Sequence, residues 1–276
     1  MYEDLYYKLE DTEAYLRRIG MDPAEFKPDK EHLDSLLRHQ HQHVPFDNLD
    51  VWDKAALPSL GIPDLFDKIV RRKRGGYCFE INGLLEAALR ALGYECYSVE
   101  IKIVRGRDYM PPAKHRGVIV ILDGKKHFCD VGLGFNFFPE ATVFNEGYNK
   151  SGSKIVCKDG ICEVFLLRED GSDLRSLWFR DIPADPVDFI NPNFCCSQEP
   201  GSPFRTRLTM VRMTPEGYRK SLLCTEPAPA PGAKYSPSFS VTVNDGSRVV
   251  SEKFYCGTAE LEEVLLKEFG VDYRFE

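Results

Sequence analysis

Arg74-Gly75-Gly76-Tyr77-Cys78-Phe79-Glu80 is the stretch on which the reading of this chain turns. Upstream, between Ile62 and Arg72, the apolar residues Leu65, Ile69 and Val70 are spaced as on one helix face. Gly75 and Gly76 let the backbone leave that helix through dihedrals other residues resist. Downstream, Ile81, Leu84, Leu85, Ala88 and Leu89 repeat at helical intervals until Gly93 stops them. The pattern predicts Cys78 near a helix N-terminus, where the dipole and unpaired N–H groups favour a thiolate. Taken alone, one cysteine among nine reads first as buried core filler.

The 276 residues can bury a sizeable core as one large domain or two to three smaller ones. With 43% hydrophobic and 29% charged residues, the balance is that of a globular protein, not a disordered one. A net charge of -7 disfavours nucleic-acid binding. The basic run Arg71, Arg72, Lys73 and Arg74 reads as a solvated helix end, with an anion site near Cys78 as the second reading. The cysteines follow no zinc spacing. Cys157 and Cys162 flank Asp159-Gly160, a hairpin signal, and Cys195 and Cys196 are adjacent. The N-terminus resembles no secretory signal, and no apolar run reaches the ~20 residues a membrane helix needs. The expectation is a soluble, cytoplasmic protein with free thiols and no membrane partner.

Three regions follow from periodicity. Residues 1–95 read mostly as helix, with Asp29 or Asp34 capping a segment that carries Leu33, Leu36 and Leu37. His39, His41 and His43 alternate there, and a polar helix end accounts for them better than a metal site. Residues 96–206 turn to alternation: Cys96 to Val104, His115 to Leu122, His127 to Val131, Lys154 to Val156 and Cys162 to Leu167 read as strands. Short strands with frequent turn signals suggest an antiparallel barrel or sandwich. Residues 181–206, rich in Pro, Asn and Ser, read as a long loop. Residues 207–276 offer strands at Leu208 to Met213 and Phe239 to Val243, a linker at Pro227 to Gly232, and a final helix capped by Thr258 and ended by Gly270.

A nucleophilic cysteine needs a base and a group to orient that base. Asp130 stands within Phe128-Cys129-Asp130-Val131-Gly132, where a carboxylate is costly unless paired. A hairpin closed by Asp123-Gly124 sets residue 115 opposite 132 and 117 opposite 130. His115 and Asp130 then become diagonal neighbours on one face, while His127 points to the other. The order Cys78, His115, Asp130 describes a thiolate–imidazolium pair held by a carboxylate.

These residues resemble the arylamine N-acetyltransferase family along nearly the whole chain. The similarity rests on Arg74 to Glu80 followed by Asn82 and Gly83, and on Pro45-Phe46-Asp47-Asn48-Leu49, where the family has Glu in place of Asp47. It rests also on His115, on Asp130-Val131-Gly132-Leu133-Gly134, and on the Phe269-Gly270-Val271 ending. The resemblance implies an α+β fold: an N-terminal helical bundle, a central antiparallel β-barrel and a C-terminal α/β lid around a transglutaminase/papain-like Cys-His-Asp core. It implies acetyl transfer from acetyl-CoA, as co-substrate, through a Cys78 thioester to an arylamine, arylhydroxylamine or hydrazine, without a metal. His115 would act as base and acid and Asp130 would orient it. Phe46, Gly132, Gly134, Phe135, Ser202 and Phe204 would meet substrate or CoA.

Two departures bear on that expectation. Phe135 stands where the family often has glycine, which a narrowed cleft or a displaced pantetheine arm would reflect. Gln198 and the pair Cys195-Cys196 depart from the pattern before Pro200-Gly201-Ser202-Pro203-Phe204. Competing readings are a transglutaminase-like or papain-like cysteine hydrolase, and a homologue whose CoA cleft is blocked and which serves only to bind.

Overall fold

The computed structural model describes residues 2–227 and 236–275. Most of the expected linker, 228–232, lies outside the described residues.

Between residues 2 and 91 the regular elements are helical apart from one short strand. Helices α1 (Thr12–Arg18), α2 (Lys30–His43), α3 (Leu49–Lys54), α4 (Ile62–Phe66) and α5 (Cys78–Ala91) pack around Tyr15, Leu36, Leu65, Phe79 and Leu84. Asp29, not Asp34, caps α2, its Oδ1 accepting the His32 N–H at 2.9 Å. Strand β1 (Phe46–Asp47) sits between α2 and α3, where Pro45 stops the helix. α4 runs into a π-helical turn, Asp67–Arg71. Arg74 is buried rather than solvated as the basic run suggested. Its guanidinium bonds Asp50 at 2.8 Å and lies 4.7 Å from the Tyr273 ring centre.

Strands β2 (Glu95–Ile103), β3 (His115–Leu122), β4 (Lys125–Cys129), β5 (Thr142–Val143), β6 (Ser153–Lys158), β7 (Ile161–Leu167) and β8 (Asp173–Arg180) form a seven-stranded antiparallel sheet. Its order is β5-β4-β3-β2-β8-β7-β6, and a bridge from Phe144 to Ile155 nearly closes it into a barrel. Val99, Ile119, Phe128, Val164 and Phe179 fill the interior. In the β3–β4 hairpin Val118 faces Cys129 and Leu122 faces Lys125, the register expected from Asp123-Gly124. β4 ends at Cys129, so Asp130 is the first residue beyond the strand. The expectation of free thiols fails at one pair: Cys157 and Cys162 face each other across the β6–β7 hairpin, Cα atoms 4.1 Å apart, and are disulfide-bonded. The turn that made them unlike zinc ligands is what brings them together.

The expected long loop at 181–206 is largely helical, with α6 (Ile190–Gln198) and α7 (Pro203–Thr206) after a 3-10 turn at Pro186–Phe189. Pro186 and Pro203 occupy first helical turns, where they lack no needed N–H. The last sheet runs β1-β9-β10-β11-β12, with β9 (Leu208–Met213), β10 (Arg219–Cys224), β11 (Ser238–Asn244) and β12 (Val249–Cys256). β1 pairs with β9, so the helical segment contributes a strand to the C-terminal sheet. Helix α8 (Thr258–Phe269) covers that sheet through Leu261, Leu265 and Phe269. Gly257 is its cap and Thr258 its first residue, while Gly270 ends it in the left-handed region at φ 72°.

Candidate active site

Cys78 opens α5. Glu80 reaches back from the third helical position to the Tyr77 N–H at 3.1 Å, part of a capping box. Lys68 holds the other Glu80 oxygen at 2.7 Å and Asp50 at 2.7 Å. Burial pushes the Glu80 and Asp47 carboxyls up, while Lys68 and Arg74 beside Asp50 outweigh its burial and hold it at about 2. The helix start is thus fixed by a buried charge network.

On the barrel side, His115 Nε2 lies 2.6 Å from Asp130 Oδ2, both residues buried. Asp130 Oδ1 accepts from Asn82 Nδ2 at 2.9 Å and from the Gly132 N–H at 2.8 Å. Asn82 also donates to the Arg116 carbonyl at 2.5 Å and accepts the Val131 N–H at 3.0 Å. The loop after β4 comes within contact of the nucleophile's helix. A Cβ on Gly132 would lie 2.7 Å from Cys78 Cα and 2.8 Å from Asn82 Nδ2. His127 is turned away, its Nδ1 3.1 Å from its neighbour's Lys125 carbonyl.

The helix N-terminus does not lower the Cys78 thiol as the sequence suggested. Burial pushes it well above the ordinary cysteine range, Cys196 and Asp130 add to that, and the Arg116 and Phe79 N–H groups pull it back. A lone thiolate is therefore costly here. Passing the proton to a neighbouring imidazole creates a pair of opposite charges and leaves the net charge of the site unchanged, a cheaper route to S⁻.

The remaining expected contacts do not form one cluster. Phe46, Gly134 and Phe204 stand together: the Gly134 Cβ position is 3.0 Å from the Phe46 ring, and the Phe46 and Phe204 ring centres are 6.3 Å apart. Phe135 is partly exposed, and the Arg105 guanidinium lies 5.4 Å from its ring centre. Ser202 is buried, its hydroxyl donating to the Cys196 carbonyl at 2.5 Å and accepting the Phe204 N–H at 3.2 Å, so it fixes α7. Cys195 and Glu199 flank Lys114, whose carbonyl is 4.0 Å from Cys78 Sγ. His41 is buried too, contrary to a polar helix end. Its Nε2 accepts the Phe138 N–H at 3.2 Å, and burial lowers its pKa to about 4. Sequence reasoning named Asn82 only as part of the family resemblance, read His41 as part of a polar helix end, and gave Lys68 no role. Among the described residues no group of three His, Cys, Asp or Glu side chains is placed to hold a metal ion.

A thiol at a helix start, with an imidazole–carboxylate pair on the barrel hairpin whose loop touches that helix, defines the class as a Cys-His-Asp thiol protein. The signature of a family described as N-acetyltransferase matches residues 29–275. Arylamine N-acetyltransferase 1 from Homo sapiens is 38% identical over 134 residues, 46% of this chain and 44% of that protein. The chain thus matches just under half the length of the human relative. Arylamine N-acetyltransferase from Mycolicibacterium smegmatis is 31% identical over 228 residues, 74% of this chain and 77% of that one. The solved arylamine N-acetyltransferase from Salmonella typhimurium shares the fold, with TM-score 0.82 at 24% identity over 96% of this chain and 93% of that one. This chain belongs to the arylamine N-acetyltransferase family.

Proposed function

We propose that this protein moves an acetyl group from acetyl-CoA, through a thioester on Cys78, to an arylamine, arylhydroxylamine or hydrazine. The observation that carries the reading is the buried His115–Asp130 pair at 2.6 Å, held by Asn82 beside the helix that starts with Cys78. In the first half-reaction the Cys78 proton passes to His115. The thiolate sulfur bonds the acetyl carbon, the carbon–sulfur bond to CoA breaks, and His115 returns the proton to the departing thiolate. In the second half the amine nitrogen attacks the acetyl-cysteine, its proton goes to His115, and Cys78 leaves as thiolate. Asp130 orients the imidazole and stabilises its charged form.

Relatives support the donor. A Mycobacterium marinum arylamine N-acetyltransferase, with TM-score 0.79 at 21% identity, is solved in complex with CoA. Gly132 lies so close to Cys78 that any side chain there would displace the nucleophile's backbone. Phe46, Gly132, Gly134, Phe135 and Phe204 are proposed to line the way in; Ser202 shapes it from behind. Residues 1–95, 96–206 and 207–276 serve as nucleophile-bearing bundle, base-bearing barrel and lid. A cytoplasmic setting suits a chain whose buried Cys78, Cys96, Cys129 and Cys196 stay outside any disulfide.

Intact-mass measurement tests the reading. Acetyl-CoA without acceptor should add one acetyl group, absent in Cys78→Ala and discharged by an added anisidine or aminosalicylate. No acetylation at saturating acetyl-CoA refutes the function, and labelling that survives Cys78→Ala refutes the site.

A further inference from the structure

A cavity of about 780 Å³ opens between the barrel and the C-terminal sheet, with Phe135 in its wall. Arg105, just past β2, Arg168, at the β7–β8 turn, and Arg219, at the start of β10, line it from three separate elements. Arg105 Nη1 bonds the Asn136 amide oxygen at 2.8 Å, and Arg219 Nη1 bonds the Phe135 carbonyl at 2.9 Å. Among the described residues no carboxylate lies at ion-pair distance from any of the three. Burial, then Arg219 and Arg168, push the Arg105 pKa down, as expected for like charges gathered together, although Arg168 also acts on Asp170 at the rim. Of the carboxylates at the rim, Asp170 is engaged by the Ser172 N–H and hydroxyl, and Asp245 by the Ser247 and Arg248 N–H groups. Glu169 also lines the cavity.

Guanidiniums assembled from three elements, with donors to spare, are the arrangement that binds phosphate oxygens. The cavity wall also lies close to the nucleophile along the chain. Gly132 touches Cys78, and Phe135 is three residues on, so at ~3.5 Å per residue the cavity wall is no more than about 11 Å further along. That distance is within the span of an extended pantetheine arm.

We propose that Arg105, Arg168 and Arg219 form an anion subsite that takes the phosphates at the nucleotide end of acetyl-CoA, with the Phe135 ring as its wall. The subsite rests on the donor assignment above. It makes Phe135 part of the cofactor path rather than a plug, and it makes donor choice depend on phosphate. Donors lacking the nucleotide would still acylate Cys78, at higher concentration.

Arg168→Gln and Arg219→Gln are the test variants, since Arg105 also stacks on Phe135. Calorimetric titration with adenosine 3′,5′-bisphosphate and with CoA reads binding without turnover. Each variant should weaken both ligands by about tenfold or more, with the loss shrinking at high salt. KM for acetyl-CoA should rise in proportion, while KM for S-acetylpantetheine stays at its wild-type value. Titrating acetyl-3′-dephospho-CoA then tells whether the 3′-phosphate or the diphosphate is gripped. Wild-type CoA affinity in both variants, or an equal rise in KM for S-acetylpantetheine, overturns the subsite. Cys78 acetylation at saturating donor should survive in both variants. Its absence in the wild type would instead overturn the donor assignment.

Discussion

Asn82→Ala isolates the contact between the nucleophile's helix and the base's hairpin. The Asn82 side chain is fully buried, donates to Asp130 Oδ1 and to the Arg116 carbonyl, and accepts the Val131 N–H. Truncation leaves the Val131 N–H without its partner and removes one bond each from the Arg116 carbonyl and Asp130. Asp130 Oδ1 keeps the Gly132 N–H. An unpaired buried group costs about 1–3 kcal/mol, and weaker losses at the other two bring the total to roughly 2–5 kcal/mol. For a chain of this size that lowers Tm by on the order of 3–10 °C. The carboxylate, held on one side only, can turn away from His115 Nε2. Misplacement of a positioned group on the ångström scale slows chemistry by about ten- to a hundredfold. Thermal denaturation by circular dichroism measures the first effect, and single-turnover acetylation followed by mass spectrometry the second. A Tm within about 2 °C of wild type, together with unchanged acetylation, would refute the role given to Asn82.

Gly132→Ala should destabilise by about 1–3 kcal/mol, because its methyl meets Cys78 Cα at 2.7 Å and backbone must move; Gly147→Ala, with nothing within 4 Å, should melt like the wild type. Equal melting of the two variants would contradict the close approach. Stability should also fall in alkali. Burial pushes the Cys96 and Cys196 thiols up to about 12, and Cys78 and Cys129 well above the ordinary range. The folded pKa values exceed the unfolded value of ~8.5, so this contribution is intact below that pH and is lost as pH rises above it. Melts from about pH 7 to about pH 10 check the slope; a Tm that stays level refutes the burial of these thiols.

How much of this could be read from residue order depends on the range of the interaction. The β3–β4 register followed from one two-residue turn, and His115 and Asp130 came with it, because hairpin pairing is local arithmetic. The start of α5 followed from Gly75, Gly76 and a helical apolar pattern. The ionisation of Cys78 did not, because the burial that governs it comes from α6 and the barrel, remote in sequence. The helices at 190–206 were hidden for a different reason: Asn, Ser and Pro are poor helix formers, and tertiary contacts override propensity. Tyr77 and Asn193, bonded across 116 positions, are one such contact. Arg74 read as solvated because its partners, Asp50 and Tyr273, lie far from it along the chain.

One signal in α5 was legible and points to how the site is assembled. Cys78, Asn82 and Glu86 recur every fourth residue, so they share one helix face. That face meets β3, where Arg116 Nη2 bonds Glu86 at 2.7 Å, Arg116 Nε bonds Ser98 at 2.8 Å, and the Arg116 carbonyl accepts from Asn82. An apolar interface would tolerate several offsets between helix and strand; this polar one does not, since any slip strands buried charges. Moving β3 by one residue would exchange the faces of His115 and Arg116, taking the imidazole away from Asp130 and the guanidinium away from Glu86 together. The Glu86–Arg116 pair, which touches no substrate in the proposed reaction, therefore fixes the register that delivers His115 to the helix start. Its energetic contribution belongs to specificity of packing, and the geometry around Cys78 depends on it.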